Sequence, residues 1–243
     1  MLTPSTRPRF WGINMQESGR ERYEIKMIVN DIHYPTVKTW IRTHTAGFSE
    51  SYPPRRVNNV YLDTFDMDNY LDNLDGTANR RKVRIRWYGD EFIIENAILE
   101  VKRKQSIKSW KESCSLAARF DLGDSRPWRH IISEVVSELP PAIAAQVGNS
   151  QTPILLNRYR REYYLAADGV VRLTIDFAQE VYDQFKSSFP NLTRRTPIPD
   201  NLIIEVKGPA NSWDAISNIV SELPVNVSKN SKYAVGFEAI FAR

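Results

Sequence analysis

Lys82-Val83-Arg84-Ile85-Arg86-Trp87-Tyr88 alternates charged and apolar side chains, the two-residue period of a strand with one basic face and one apolar face. The same pattern continues outward in both directions. From Ile98 to Lys104, Glu100, Lys102 and Lys104 oppose Leu99 and Val101. From Val171 to Phe177, Arg172, Thr174 and Asp176 oppose Val171, Leu173, Ile175 and Phe177. From Leu202 to Lys207, Ile203, Glu205 and Lys207 oppose Leu202, Ile204 and Val206. Near the start, Arg22, Glu24 and Lys26 oppose Tyr23, Ile25 and Met27. Val57 to Thr64 and Arg158 to Leu165 read as further strands, and turn chemistry such as Tyr88-Gly89-Asp90 and Ala167-Asp168-Gly169 separates several of them.

Two helices stand between the strands. Asp124-Ser125-Arg126-Pro127 offers a cap and a first-turn proline, after which Trp128, Ile131, Ile132, Val135 and Leu139 share one helical face. Trp213 to Leu223 places Trp213, Ile216, Ile219, Val220 and Leu223 on its apolar stripe. Thr36 to Ala46 is a third candidate helix, while Ser51 to Pro54 and Pro190 to Pro199 read as proline-rich loops. The pieces repeat: Ile98-Leu99-Glu100-Val101-Lys102 matches Ile203-Ile204-Glu205-Val206-Lys207, and each is followed by a Trp-initiated helix ending in Ser-Glu-Leu-Pro. Duplicated units of strands plus one helix are the reading of that order.

The charged faces admit two readings. Each could face water, as in any half-covered sheet. Alternatively the sheet closes, the helices cover the apolar faces from outside, and the charged faces line a tunnel. An interior with more bases than acids cannot neutralise itself, because unpaired buried charges are costly, and it would call for a polyanion or water. The expected fold is α+β, mainly β: a closed antiparallel β-barrel with amphipathic helices packed outside, in a single domain over 21–243 preceded by an arm over 1–20.

Composition agrees with a globular chain of 243 residues, 42% hydrophobic and 26% charged. A net charge of +4 decides little, so the clustering of the bases carries the argument. Cys114, the one cysteine, reads as a structural thiol in a reducing compartment. His33, His44 and His130 lack metal-ligand spacing. The first twenty residues do not read as a signal peptide, and no run approaches a membrane span, so the expectation is a soluble, cytoplasmic protein.

Eight motifs then occur in one order: Arg22-Tyr23-Glu24-Ile25-Lys26, Tyr61-Leu62-Asp63-Thr64, Arg84-Ile85-Arg86-Trp87-Tyr88-Gly89, Leu99-Glu100-Val101-Lys102-Arg103-Lys104, Arg161-Glu162-Tyr163-Tyr164, Arg172-Leu173-Thr174-Ile175-Asp176, Ile204-Glu205-Val206-Lys207 and Ser231-Lys232-Tyr233. Together they resemble the VTC domain, a member of the CYTH-like triphosphate tunnel metalloenzymes, from about Glu21 to Gly236. The resemblance implies an eight-stranded tunnel that makes polyphosphate from ATP with a divalent metal, Mn²⁺ or Mg²⁺. Carried over by position, the bases that touch phosphates are Lys26, Arg84, Arg86, Lys102, Arg161, Arg172 and Lys232, with Lys229 as a further candidate. Lys111, with Lys108 as the alternative, is the expected lysine in the loop after the Glu-x-Lys strand. Lys207 adds to the phosphate-binding set. By strand alternation Arg158 and Arg160 lie on the other side of the strand from Arg161. The implied metal carboxylate is Glu205, with Glu24, Glu100 and Asp176 as secondary candidates.

A terminal phosphate attacking the γ-phosphate of ATP needs charge neutralisation and alignment more than a general base. The nearest alternative is hydrolysis of triphosphate or polyphosphate. Hydrolases of the superfamily begin Glu-x-Glu-x-Lys, whereas here Arg22 stands where the first glutamate would be. A non-catalytic polyphosphate-binding module is the other alternative. RNA is disfavoured because aromatics such as Trp87 and Phe177 alternate away from the basic face. Eukaryotic relatives work in membrane complexes and carry a regulatory domain, so the resemblance implies a membrane partner for any coupled transport.

Overall fold

The structure, a computed structural model, describes residues 22–106, 108–223 and 231–241. The arm over 1–20 and Lys229 lie outside the described residues. In chain order the strands are β1 (Arg22–Asn30), β2 (Ser49–Asp63), β3 (Asn79–Tyr88), β4 (Ile93–Ile94), β5 (Ile98–Gln105), β6 (Lys108–Ser115), β7 (Phe120–Asp121), β8 (Thr152–Leu165), β9 (Arg172–Asp183), β10 (Arg195–Thr196) and β11 (Asn201–Pro209). The helices are α1 (Tyr34–Thr43), α2 (Asp68–Leu74), α3 (Trp128–Ser137), α4 (Pro141–Val147), α5 (Trp213–Ser221) and α6 (Lys232–Phe241).

One curled antiparallel sheet runs β1-β11-β9-β8-β2-β3-β5-β6, with β10 added beside β9. Eight strands form the path, but among the described residues no ladder joins β1 to β6. The expected closed barrel is therefore corrected to a half-barrel. Mixed charges face each other across the open seam: burial, Lys26 of β1 and Lys207 of β11 lower the pKa of Lys102 on β5, while Glu24 of β1 raises it. Cations along β6 also blunt it as an edge strand.

Apolar strand faces are covered from the convex side as the periodicity predicts. Val83, Ile85, Trp87, Leu99 and Val101 pack under Trp128, Ile131, Ile132 and Val135 of α3. In the second half, Met27, Leu173, Ile175, Ile204 and Val206 pack against Ile216 and Ile219 of α5 and Val37 and Ile41 of α1. At about 25 cal/mol per Å² of buried apolar surface, these interleaved side chains hold the helices against the sheet.

Helix α6 breaks the expectation that helices lie only outside. Its Tyr233, Phe237 and Ile240 pack on Tyr61, Leu155 and Val181. Tyr61 pairs with Arg84 and Leu155 in register, so this cluster sits on the basic, concave side of the sheet. The close approach depends on Gly236, where a Cβ would meet Leu155 Cδ2 at 3.0 Å and Val181 Cγ1 at 3.5 Å. Gly236→Val is expected to cost about 1–3 kcal/mol by overpacking, measured by urea denaturation. A variant as stable as the parent would show that α6 is not seated there.

Several local expectations change. Ser51 to Pro54 is not a loop but part of β2, where register shifts accommodate Pro53 and Pro54. Pro190 to Pro199 is loop except for the short β10. Lys108 to Ser115 is a strand rather than a loop, and of the eight strands on the main sheet path it is the one that the periodicity missed. Pro127 itself occupies the N-cap of α3, with no side-chain cap. Trp213 is 46% exposed rather than part of the buried stripe, because it packs on Tyr23 of edge strand β1 with ring centroids 4.7 Å apart.

Candidate phosphate-binding face

Strand register puts the charged residues on one connected concave surface. Lys26 pairs with Glu205, Glu24 with Lys207, and Lys207 with Arg172 across β1, β11 and β9. On the other half, Arg84 pairs with Glu100, Lys82 with Lys102, and Lys102 with Lys111 across β3, β5 and β6. Lys111 therefore shares the face and Lys108 lies on the opposite one. Arg161 pairs with Asp176, and a register shift between Arg158 and Arg160 interrupts the β8–β9 ladder just before it. Its neighbour Arg158 points the other way and donates to Asn58 Oδ1 at 2.7 Å.

Four carboxylates anchor this surface. Glu100, nearly buried, accepts from Arg84 at 2.6 Å and from Lys111 at 3.0 Å, with Arg86 at 3.4 Å. Asp176, fully buried, accepts from Arg161 at 2.5 and 2.7 Å and pairs with Lys232 at 2.5 Å. Glu205 pairs with Lys26 at 3.0 Å and with Lys207, and Arg161 and Lys232 stand 3.9 and 4.0 Å away. Glu24 pairs with Lys26 at 3.0 Å. Burial alone would raise the Glu205 carboxyl, but Lys207, Lys232, Lys26 and Arg161 together drive it well below the usual carboxylate range. Arg172 is exposed at the end of this row.

Charge remains in excess. Lys82 donates to Ser231 Oγ at 2.9 Å and has no carboxylate partner among the described residues. Burial, then the neighbouring Lys102, Lys26, Arg80 and Arg84, push its ammonium down to about 8. Lys102 is lowered too, chiefly by burial. Asn59 Nδ2 and Thr174 Oγ1 are buried on this face without a hydrogen-bond partner. Such a surface suits a flexible, highly charged anion with many acceptor oxygens.

Sequence reading missed Lys82 as a site residue, although its place in the Arg84-Arg86 alternation marked its face. It also missed the aromatics here. Trp87 is buried on the convex side as expected, but Tyr61, Tyr88, Tyr159 and Tyr163 lie on the basic face. Lys232 and Arg161 lie over the Tyr159 ring at 4.7 and 5.3 Å.

Among the described residues, no three His, Cys, Asp or Glu side chains converge on a metal position. Glu205 and Glu24 supply hard oxygen donors, and each lies near Lys207. That donor set fits Mg²⁺ or Mn²⁺, which is commonly held by one or two carboxylates with the remaining positions filled by phosphate oxygens and water.

The architecture is thus a curled antiparallel half-barrel with a base-rich concave face. The family model of the VTC domain matches residues 21–241, and the chain belongs to the VTC domain family. Vacuolar transporter chaperone complex subunit 4 of Schizosaccharomyces pombe is 33% identical over 66 residues, which is 27% of this chain and 9% of that protein. The chain thus aligns with a small part of that relative. A solved structure from Bacillus halodurans, described as a candidate adenylate cyclase, superposes with a TM-score of 0.52 at 12% identity, covering 86% of this chain and 92% of that one. That likeness concerns the fold.

Among the described residues, no helix is long and apolar enough to cross a membrane.

Proposed function

We propose that the concave face binds a linear chain of phosphates and that the protein is a metal-dependent polyphosphate polymerase using ATP. The observation that carries this is that cations outnumber Glu24, Glu100, Asp176 and Glu205 on one continuous face. The family membership and the relative in a vacuolar transporter chaperone complex support it.

Arg84, Arg86 and Lys111 would hold one stretch of phosphates, and Lys26, Lys207, Arg161 and Lys232 another, with Lys82 and Lys102 between them. Arg172 would meet the chain at the exposed end of its row. The arginines offer forked donors that fit two oxygens of one phosphate. The carboxylates hold these cations apart and aimed, so little reorganisation is needed when phosphate replaces them. In the transfer, an oxygen of the acceptor's terminal phosphate forms a bond to the γ-phosphorus of ATP. The bond from that phosphorus to the β,γ-bridging oxygen breaks, and ADP leaves with the electron pair. The attacking oxygen is already anionic, so no side chain need take a proton. A divalent cation held by Glu205, with Glu24 beside it, would neutralise phosphate oxygens.

Purified protein with ATP and Mn²⁺, with and without pyrophosphate, should release ADP in step with growth of polyphosphate. Free phosphate without polymer would replace this reading with a hydrolase. Neither product, with tight and salt-sensitive polyphosphate binding, would replace it with a binding module.

A further inference from the structure

Arg55 is caged by tyrosines. Its guanidinium carbon lies 4.1 Å from the Tyr52 ring centroid, 4.2 Å from Tyr88 and 5.0 Å from Tyr163. Its Nη2 donates to Tyr163 Oη at 3.2 Å, while its Nε is buried without a partner. Tyr52 and Tyr163 meet edge to face at 5.9 Å. The cage borders the basic face directly: Arg55 pairs with Arg161, and Tyr88 follows Arg86 by two residues on the same side of β3.

Two features distinguish this cluster from ordinary packing. Tyr52 is 51% exposed and Tyr88 39% exposed, so ring surface is presented to solvent. The backbone is also irregular in a way that gathers the rings. Tyr52 pairs with Tyr163 and Arg55 with Arg161, so three steps on β2 match two on β8. That extra residue, in the Pro53-Pro54 stretch, turns Tyr52 onto the concave side, where strict alternation would have turned it away.

We propose that Tyr52, Tyr88 and Arg55 form the nucleobase platform for the nucleoside triphosphate whose phosphates lie on Arg86 and Arg161. The proposal rests on the phosphate-binding reading above. Exposed tyrosine rings stack any base, with Arg55 holding the two rings in place. A nucleotide is therefore distinguished from a bare phosphate chain at this end of the face.

The test compares ATP and inorganic tripolyphosphate by calorimetric titration of the full chain. Tyr52→Ala with Tyr88→Ala should weaken ATP by about 5- to 100-fold, the range for losing base–aromatic stacking, and leave tripolyphosphate within about twofold. Tyr52→Phe with Tyr88→Phe keeps the rings and should restore ATP affinity, which separates stacking from any loss of fold. If the alanine pair weakens both ligands equally, or neither, the platform is wrong while the phosphate face stands. If the unaltered protein binds neither ligand, both readings fall.

Discussion

Asp176→Asn should lower stability by about 3–5 kcal/mol, the cost of leaving buried cations without their counter-charge. Asp176 is 0% exposed and bridges Arg161 and Lys232, which come from β8 and α6. The amide keeps the shape and removes the nearer charge, so Arg161 and Lys232 keep only the more distant Glu205, at 3.9 and 4.0 Å, beside each other and Tyr159. Urea denaturation should show the full loss, with the melting temperature down by about 10 °C for a domain of this size. The pH dependence carries a sign that checks the cause. Burial alone would raise the Asp176 carboxyl, but Arg161 and Lys232 outweigh burial and hold it below its usual range. A depressed carboxyl contributes stability that is complete above its unfolded pKa near 3.9 and disappears as pH falls through the folded value. The variant should therefore lose part of the acid limb that the parent shows below about pH 4. Added tripolyphosphate should recover more stability in the variant than in the parent, since phosphates neutralise the same cations. A variant within about 1 kcal/mol of the parent would mean that Asp176 is not the counter-charge assigned to it.

Lys82→Met should move stability and ligand affinity in opposite directions. Lys82 is surrounded by Lys102, Lys26, Arg80 and Arg84, and burial and these cations push its ammonium down to about 8. A lysine whose folded pKa lies below its unfolded value binds fewer protons in the native state. Stability then rises with pH between about 8 and about 10.4, and at pH 7 the charged side chain is a burden. Replacing it should stabilise the ligand-free protein at pH 7 by about 1–3 kcal/mol, after allowing for its partial exposure. The same change removes a cation from the centre of the face, so tripolyphosphate should bind about ten- to a hundredfold more weakly. At pH 9, binding to the parent should take up a proton, visible as a calorimetric heat that changes with the buffer's ionisation enthalpy. The methionine variant should lose that dependence. If both stability and affinity fall, Lys82 is an ordinary structural lysine.

The opposing signs of that result express how this face is built. A surface organised to neutralise a polyanion is electrostatically unfavourable by itself, and burial under the three apolar clusters holds it together. Glu100, Asp176 and Glu205 relieve the worst repulsions but leave Lys82 and Lys102 without close carboxylate partners among the described residues.

Strand identity and facing were legible because they are local. Period-two alternation placed Arg84, Arg86, Lys102, Glu100, Glu205 and Lys207 on one face, and the ladders agree. Trp128, Ile131, Ile132 and Val135 on one helical face likewise became buried against the sheet. Two misreadings come from proline and from edges. Pro53 and Pro54 signal a loop by composition but sit in a strand with irregular register. β6 carries so many polar residues that its alternation gives little contrast between faces.

The sequence by itself determined which side chains are basic, which face of each strand carries them, and how the VTC motifs are ordered, since backbone geometry and residue order suffice for these. Only the tertiary structure decided that β1 and β6 do not pair, that α6 enters the concave side through Gly236, and that Arg161 and Lys232 meet at Asp176. Those outcomes join residues far apart in the chain. They depend on strand curl, close helix approach and the balance of like and unlike charges across space, none of which has a period to read along the chain.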